Sequence, residues 1–406
     1  MSDFGELKDY IKGAAIKRLS VVECDPGKSN QHEINGVQPL KKFLGDDNRF
    51  SAVFIRLDDD EENISQSNGT VTWYDSRKGN PNRSAEYRLY YSANPAIEQA
   101  AAGDALAVIL KKDGDIVLVT APADSQSERE LNELFGADIK ERFNAVDFSD
   151  SHDEISLTRR YILEELGIEI KADFGRNYLE IIEKEFGGLV FPKSVLFSRL
   201  ARNMCARIDD YPDSDTALIS WWDTEEAMFR QLEGELINQK LSAGFTDAED
   251  FLSFSQTIRQ RRSSRAGRAL ENHLAFLFDE KKIRYSWGEK TEQNKKPDFI
   301  FPSIQDYRNP DFPTSRLTML GVKTTCKDRW RQVLSEAKRI TDKHLFTLQP
   351  GITQNQTDEM VASGLQLVVP QSVHSTYSEK QRQWLWNIEQ FISQVIINQS
   401  HNFNPK

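Results

Sequence analysis

The stretch MLGVKTTCKDRW (residues 319–330) decides how the C-terminal half of this chain is interpreted. Its apolar first half has the length of a buried strand and ends at Lys323, and Lys327, Asp328 and Arg329 follow almost at once. The whole chain has a formal net charge of −11, so cations at the end of a core strand need an explanation. An anionic binding partner at this strand end would supply one.

The composition is that of a globular protein of 406 residues, long enough for two domains, with 38% hydrophobic and 28% charged residues. No apolar run approaches the ~20 residues that cross a bilayer, and the start MSDFGELKDY lacks the plan of a signal peptide. Three widely spaced cysteines favour neither a disulfide framework nor a zinc site. We therefore expect a cytoplasmic protein without a membrane partner.

Residues 256–296 form a basic island within the acidic chain. This stretch contains eleven Lys and Arg residues against five Asp and Glu residues, a local net charge of +6. Affinity for nucleic acid comes from such local clusters rather than from the total charge. A solvated helix face has the same composition, so charge alone leaves DNA binding and a surface helix as alternatives.

Residues 50–121 are typical of a small β-barrel. The runs FSAVFIRL, TVTWYDS and YRLYYS are separated by polar turns. The run DALAVILKKDGDIVLVTAPA predicts a hairpin with a type I′ turn at Asp113-Gly114. The pattern becomes helical from about Thr158. We place the domain boundary within 150–190 and divide the chain into residues 1–170 and 171–406.

After residue 262, helices alternate with short apolar runs, which predicts an α/β domain. A helix capped by Ser263 or Ser264 precedes strands in PDFIFPS and LTMLGVKTT. A helix in DRWRQVLSEAKRI, strands in HLFTLQ and LQLVVP, and a last helix in SEKQRQWLWNIEQFISQVII follow. This order is typical of a sheet covered by helices on both faces.

Three side chains of this domain suit phosphodiester hydrolysis. Asp298 opens one predicted strand, Lys323 ends the next, and Glu336 follows at a helical spacing that points it inward. Carboxylates bind Mg²⁺, which activates water, and a lysine stabilises charge on the phosphate. A strand-end lysine that meets water and a salt-bridged glutamate remain the ordinary alternatives. The usual motif also has Asp/Glu-x-Lys, whereas this chain has Gly321-Val322-Lys323.

Four stretches closely resemble the catalytic domain of EcoRII-type restriction endonucleases: RRSSRAGRALENHLAFLF (261–278), NKKPDFIFPS (294–303), VKTTCKDRWRQVLSEAKRITDKHLFTLQPG (322–351) and SGLQLVVP (363–370). The resemblance runs from about 190 to 400 and implies a restriction-endonuclease-like (PD-(D/E)XK) domain with a central mixed sheet. In this branch the second carboxylate lies on the helix after the strand, so Gly321 agrees with the resemblance. It implies a catalytic set of Glu271, Asp298, Lys323 and Glu336, with Asp298 and Glu336 holding Mg²⁺.

The resemblance also implies DNA contacts in the catalytic domain, which we expect from Arg265, Trp221, Trp222, Lys327, Asp328 and Arg329. The last three match the segment that this family uses on C:G pairs, and Lys or Arg does read guanine while Asp accepts from cytosine. Ordinary charge at a helix start is the alternative. One of the two tryptophans would stack on a base that relatives flip out of the duplex, although adjacent tryptophans are equally typical of a core.

The stretch AAIKRLSVVECDPGKSNQHEINGVQPLKKFLG (14–45) resembles, more weakly, the start of the effector domain of this family. That domain is a B3-like pseudobarrel whose two arms grip a second copy of the recognition site. One arm would carry Lys28, Asn30, His32 and Asn35. The other would carry Arg77, Lys78, Asn82, Arg83, Glu86 and Arg88. His32 alone would be an ordinary surface histidine.

The combined prediction is a type IIE-like restriction endonuclease of a restriction-modification system. It would cleave double-stranded DNA at a CCWGG-like site (W is A or T) with Mg²⁺, and its N-terminal domain would bind a second site as an allosteric effector. A non-catalytic sequence-specific DNA-binding protein on a nuclease-like fold is the alternative, and a repair nuclease without sequence preference is a third reading. A palindromic site favours a homodimer, but a monomer that nicks each strand in turn needs the same residues.

Overall fold

The computed structural model describes residues 3–24, 32–34, 37–59, 63–78, 82–136, 139–148, 152–326 and 329–400. The chain divides into two compact units, Met1–Ile170 and Lys171–Lys406, called here the N-terminal and the C-terminal unit. Within the described ranges, no helix is both long and apolar enough to cross a membrane.

The N-terminal unit is built mainly from strands. Its helices are α1 (Leu7–Tyr10), α2 (Val21–Cys24), α3 (Lys41–Leu44), α4 (Pro95–Glu98), α5 (Gln126–Phe135) and α6 (Leu157–Glu165). Its strands are β1 (Ile11–Arg18), β2 (Glu33–Ile34), β3 (Asn48–Arg56), β4 (Ser65–Asp75), β5 (Tyr87–Tyr91), β6 (Ala105–Lys111), β7 (Ile116–Ala121) and β8 (Asn144–Asp147).

These strands form one sheet in the order β2-β5-β4-β3-β7-β6-β1-β8. Among the described strands of this sheet, only β3 and β7 pair in parallel. Apolar side chains from several strands, such as Phe54, Trp73 and Leu118, share one buried core. Because β2 and β8 stand at opposite ends of this order, closure into a B3-like pseudobarrel stays a prediction.

The hairpin predicted around Asp113-Gly114 is present, since β6 and β7 pair in antiparallel register. Its turn differs from the prediction. Gly114 has a φ of 98°, but Asp113 is not among the residues of positive φ, and a type I′ turn needs positive φ at both positions. Four residues connect the strands, and the Lys111 N–H donates to the Asp115 carbonyl at 2.9 Å.

The C-terminal unit combines long helices with a short-stranded sheet. Its helices are α7 (Tyr178–Phe186), α8 (Ser194–Asn203), α9 (Ser214–Ala243), α10 (Ala248–Glu280), α11 (Ile304–Arg308), α12 (Trp330–Leu334), α13 (Gln354–Ala362), α14 (Glu379–Trp384) and α15 (Ile388–Ser400). Its strands are β9 (Ser286–Trp287), β10 (Phe299–Phe301), β11 (Thr318–Lys323), β12 (Lys343–Thr347) and β13 (Leu365–Val368).

The predicted central mixed sheet is confirmed. Its order is β13-β12-β11-β10-β9. The pairs β11–β12 and β12–β13 are parallel, whereas β10 pairs in antiparallel register with both β9 and β11. Helix α10 packs on this sheet through Phe278, whose ring centroid lies 5.3 Å from those of Phe299 and Phe301. Since residues seven apart share a helix face, this packing also turns Glu271 toward the sheet.

Three helix predictions were wrong in extent. Helix α10 is not capped by Ser263 or Ser264 but begins at Ala248, after Asp247, whose side chain accepts from the Asp250 N–H at 2.8 Å. The two serines lie inside the helix, which α9 packs along, with an ion pair of 2.6 Å between Glu233 and Arg262.

The other two predicted helices are shorter. The helix predicted in residues 328–340 ends at Leu334, and Ala337 then takes a φ of 47°, which lies outside the helical region. The C-terminal helix is interrupted at Trp386, whose backbone instead bonds to Leu367 at 3.1 Å and Val369 at 2.8 Å. Backbone pairing with the sheet replaces helical bonds at this break.

Candidate functional site

Asp298 and Lys323 lie side by side at one end of two neighbouring strands. Phe299 pairs with Leu320, so Asp298 lies opposite the end of β11. Its Oδ2 accepts from the Lys323 Nζ at 3.0 Å and from the Val322 N–H at 2.7 Å. Both side chains keep about a fifth of their surface exposed. The pair is therefore fixed by the sheet and remains accessible from solvent.

Glu336 lies close to this pair although it follows the helix rather than belonging to it. Its backbone N–H donates to the Val333 carbonyl at 3.1 Å, and its Oε2 is buried without a hydrogen-bond partner. Burial raises the pKa of this carboxyl to about 7, against the lowering effect of Lys323 and with a further raising effect of Asp298. A buried acceptor without a donor is a position that a cation can satisfy.

Glu271 completes the group of acids from helix α10. Its Oε2 accepts from the indole Nε1 of Trp287 at 2.8 Å. Burial raises the pKa of Glu271, the hydrogen bond from Trp287 lowers it, and the charge of Asp298 raises it. The residues predicted from the sequence as one catalytic set thus influence one another electrostatically around Asp298 and Lys323.

Trp287 is a site residue that the sequence analysis missed. It lies in the edge strand β9, is 39% exposed, and stacks on Phe299 with an angle of 13° between the rings. Its indole thus fixes one oxygen of Glu271. The signal available in the sequence was an aromatic residue eleven positions before Asp298, but nothing local connects it to helix α10.

The packing above Gly321 explains why the strand carries no second acid. A Cβ atom at this position would lie 2.9 Å from Cγ2 and 3.1 Å from Cγ1 of Val333. Residues 321 and 323 face the same side of β11, the side that α12 covers. The space that an acid would need next to Lys323 is therefore filled by Val333, and the carboxylate on that side comes from Glu336.

Asp298 and Glu336 fit the part that protein carboxylates take in holding a divalent cation. Mg²⁺ is commonly held by one or two carboxylates together with water and phosphate oxygens, and the orphaned oxygen of Glu336 suits that role. Of the two Asp298 oxygens, Oδ2 accepts from Lys323 and Val322. In the part of the chain that the structure describes, no group of three or more His, Cys, Asp or Glu residues is arranged to hold a metal ion.

The predicted DNA contacts after β11 are only partly described. Lys327 and Asp328 lie outside the described residues, whereas Arg329 is exposed next to helix α12. Cys326 is fully buried, and its backbone N–H donates to the Gln349 side chain at 2.6 Å. Recognition of C:G pairs by this segment stays a prediction.

The predicted DNA contacts on helices α9 and α10 are largely buried; they are Trp221, Trp222 and Arg265. The two tryptophans are 1% and 6% exposed, so neither offers a ring face to a base in this conformation. The Arg265 side chain is 11% exposed, is paired with Glu226, and lies 4.2 Å from the ring centroid of Phe229. Their DNA roles stay predictions, and each would require the side chain to leave its present contacts.

Some cations of the basic island pair with acids that the structure describes, and others do not. Arg262 is paired with Glu233, Arg265 with Glu226, and Lys281 with Glu389. These cations mostly offset acids of the neighbouring helices. The island is therefore in part a structural network and in part an exposed positive surface.

The described cations of the second predicted DNA-binding arm are largely paired with acids. Arg77 lies 2.6 Å from Glu86, Lys78 2.5 Å from Asp47, and Arg88 2.6 Å from Glu33. Asn82 and Arg83 are exposed. In the first arm, His32 packs edge-on against Tyr91 at 5.6 Å, while Lys28, Asn30 and Asn35 lie outside the described residues. These ten assignments stay predictions.

Comparison with known proteins supports the resemblance in the C-terminal part. Residues 229–392 match the family model described as EcoRII C terminal. The type II restriction enzyme EcoRII of Escherichia coli is 43% identical over 184 residues, which are 45% of this chain and 46% of that protein. The chain thus spans about half the length of this curated relative. The EcoRII-type resemblance is confirmed for this part of the chain.

Two solved structures resemble the chain more distantly. One is described as a complex of the restriction endonuclease PspGI with substrate DNA, with 16% identity, 52% of this chain, 95% of that chain and a TM-score of 0.44. The other is described as metal-depleted Ecl18kI with uncleaved, modified DNA, with 18% identity, 56% of this chain, 86% of that chain and a TM-score of 0.45.

Proposed function

We propose that this chain is a type II restriction endonuclease that cleaves double-stranded DNA at a CCWGG-like site with Mg²⁺. The observation that carries the proposal is the ion pair of Asp298 and Lys323 at adjacent strand ends, with the orphaned Glu336 carboxylate beside it. The match of residues 229–392 to the EcoRII C-terminal family supports the same assignment. A structural ion pair alone has no use for a third, unsatisfied acid.

Each residue of the site has a distinct task in this mechanism. Asp298 and Glu336 would hold Mg²⁺, which when bound supplies a positive charge and an acidified water. The Lys323 ammonium is fixed by the Val322 carbonyl at 2.9 Å as well as by Asp298. From this position it would stabilise the charge that develops on the phosphate. Glu271, oriented by Trp287, would accept protons or complete the cation shell.

The proposal is tested with the full chain, Mg²⁺ and a plasmid that contains CCWGG sites. We expect discrete fragments whose sequenced ends fall at that site, and no fragments from K323A or D298A. K380A is the matched control, because Lys380 forms an exposed surface pair with Asp358 at 3.0 Å, and it should cut like the wild type. A smear would indicate a repair nuclease. Site-specific binding without cutting would favour the non-catalytic DNA-binding protein.

We further propose that the N-terminal unit is a B3-like effector domain that binds a second copy of the site. The support is its resemblance to that domain and its strand-rich core. A short duplex carrying the site, added to a plasmid with a single site, should then accelerate cleavage, because allosteric coupling requires the bound state to favour cutting. A duplex with a scrambled site is the control, and equal rates with both would contradict the effector role.

The chain could act as a homodimer or as a monomer, and the two alternatives predict different cleavage products. A homodimer that places one C-terminal unit on each strand should cut both strands in one binding event. A monomer that nicks each strand in turn should accumulate nicked plasmid. Light scattering of the DNA complex and the amount of nicked intermediate distinguish them. A cytoplasmic location stays a prediction.

A further inference from the structure

We infer that Lys295 and Lys296 hold the DNA phosphates on either side of the cleaved one and so position the strand over the carboxylates. The inference rests on the proposed function and adds two positioning residues to its site. Both lysines belong to the β9–β10 loop (residues 288–296), directly before Pro297-Asp298.

The β9–β10 loop has a defined geometry rather than that of an open connection. At its base the Gly288 N–H donates to the Asp298 carbonyl at 2.9 Å, and further out the Thr291 N–H donates to the Lys295 carbonyl at 2.8 Å. Gln293 and Asn294 at its tip have φ values of 56° and 60°. Two successive non-glycine residues in the left-handed region persist only where the surroundings impose them.

The loop is also anchored from the side by the segment that follows β10. The buried Tyr307 donates its hydroxyl to the Glu292 carboxylate at 2.7 Å, and the Arg308 guanidinium donates to the Lys290 carbonyl at 2.8 Å. These bonds fix the backbone that carries Lys295 and Lys296. The two lysines are therefore presented at a constant place relative to Asp298.

The charges of the two lysines act on different acids of the group. Lys296 lies against the backbone of Gly288, where a Cβ would be 3.4 Å from its Nζ, and its charge acts on Glu271. The charge of Lys295 acts on Glu336. Both lysines are exposed, and neither forms an ion pair with a described residue. They are cations near the site that no described acid pairs with.

The site needs such cations to receive DNA. Among the described lysines, only Lys323 forms an ion pair with one of the three acids Glu271, Asp298 and Glu336, and carboxylates repel the phosphates of a duplex. Each lysine that contacts a phosphate releases counterions and makes the negative slope of log K against log salt concentration steeper by about 0.9. Two ammonium groups that act on different acids of the group would attract the flanking phosphates and leave the central one facing Lys323.

The test measures the salt dependence of binding for the full chain. The probe is a labelled duplex with one CCAGG site in EDTA, which prevents cleavage, at several salt concentrations. K295Q/K296Q should reduce the magnitude of the slope by about 1.8, and K295R/K296R should keep the wild-type slope. K290Q is the matched control, because Lys290 is exposed in the same loop but is not among the charges that act on Glu271 or Glu336. Its slope should equal that of the wild type.

Cleavage in Mg²⁺ separates this inference from the proposed function. K295Q/K296Q should raise KM at least tenfold and change kcat much less, with an unchanged urea midpoint. An unchanged slope, or an equal loss of slope in K290Q, overturns the inference while cleavage by the wild type still supports the nuclease. If the wild type neither binds nor cuts the duplex, the nuclease proposal and this inference both fail.

Discussion

Replacement of Gly321 by alanine tests whether the contact with Val333 excludes a side chain from this strand. The new Cβ would lie 2.9 Å and 3.1 Å from the two methyl groups of Val333 and 3.6 Å from Cδ1 of Leu345. The first two distances are too short for carbon atoms, which pack at about 3.5–4.0 Å. Gly321 is not among the glycines of positive φ, so the penalty is steric and not one of backbone conformation.

We expect G321A to lower the free energy of unfolding by about 1–3 kcal/mol, as overpacking of a full core does. V333A alone removes buried methyl groups and should also cost about 1–3 kcal/mol. The double variant G321A/V333A removes the clash, so its cost should be smaller than the sum of the single costs by at least ~1 kcal/mol. This coupling energy is what a double-mutant cycle measures.

Urea unfolding followed by tryptophan fluorescence is a suitable assay. Of the seven tryptophans only Trp73 lies in the N-terminal unit, so the signal reports mainly on the C-terminal unit. G234A is the control, because nothing lies within 4 Å of a Cβ at this position of α9, and it should stabilise by about 0.5–1 kcal/mol. Additive single effects, or a G321A cost below ~0.5 kcal/mol, would refute the steric explanation for the missing strand acid.

Three further predictions concern titratable groups and their partners. W287F keeps the stacking on Phe299 but removes the donor to Glu271, so the Mg²⁺ concentration for half-maximal cleavage should rise roughly 10–100-fold. Glu336 has a folded pKa of about 7, above its usual 4.5. Its ionisation therefore lowers the free energy of unfolding of the wild type as pH rises. In urea unfolding with EDTA, the stability of E336Q relative to the wild type should increase from pH 5 to pH 8. His344 has a folded pKa of about 4, below 6.5. The free energy of unfolding should therefore fall by about 2–3 kcal/mol between pH 7 and pH 4.5 because of this histidine. H344L lacks the titrating group, so an equal fall in H344L and the wild type would contradict this.

The parts of the site that the sequence predicts are those set by strand ends. Asp298 and Lys323 each border a short apolar run, and adjacent strands bring such ends together because their register follows from burial. The observed ion pair of 3.0 Å agrees with that reasoning. The apolar pattern was sufficient to predict that these two residues lie close together, because the prediction required only two neighbouring strands and their order.

Glu336 shows where local periodicity stops being informative. The spacing of Trp330, Val333, Ala337 and Ile340 predicted one helix, and all four side chains are indeed buried. The helix nevertheless ends at Leu334, so Glu336 points inward from a turn whose shape depends on contacts distant in sequence. Inward direction was predictable from the apolar spacing, but the backbone that produces it was not.

The tryptophans and arginines of the helical layer show a second limit. Trp222 and Arg265 come from different helices, and only the antiparallel packing of α9 on α10 places the guanidinium 5.7 Å from the indole ring. A sequence shows the charge of Arg265 but not the Glu226 that neutralises it. Buried ion pairs across helices therefore make an apparently basic surface less positive than its composition suggests.

The acids of the site connect cation binding with proton release. With a pKa of about 7, the Glu336 carboxyl is neutral in a substantial fraction of metal-free molecules at neutral pH. Under the proposed function a cation has to displace that proton, because only the ionised carboxylate is a good ligand. The apparent affinity for Mg²⁺ should therefore increase as pH rises from 6 to 8, whereas in E336Q this increase should disappear. Burial of the Glu336 carboxyl makes its ionisation unfavourable in the metal-free site. A bound divalent cation would offset this electrostatic cost, so the same burial favours cation binding.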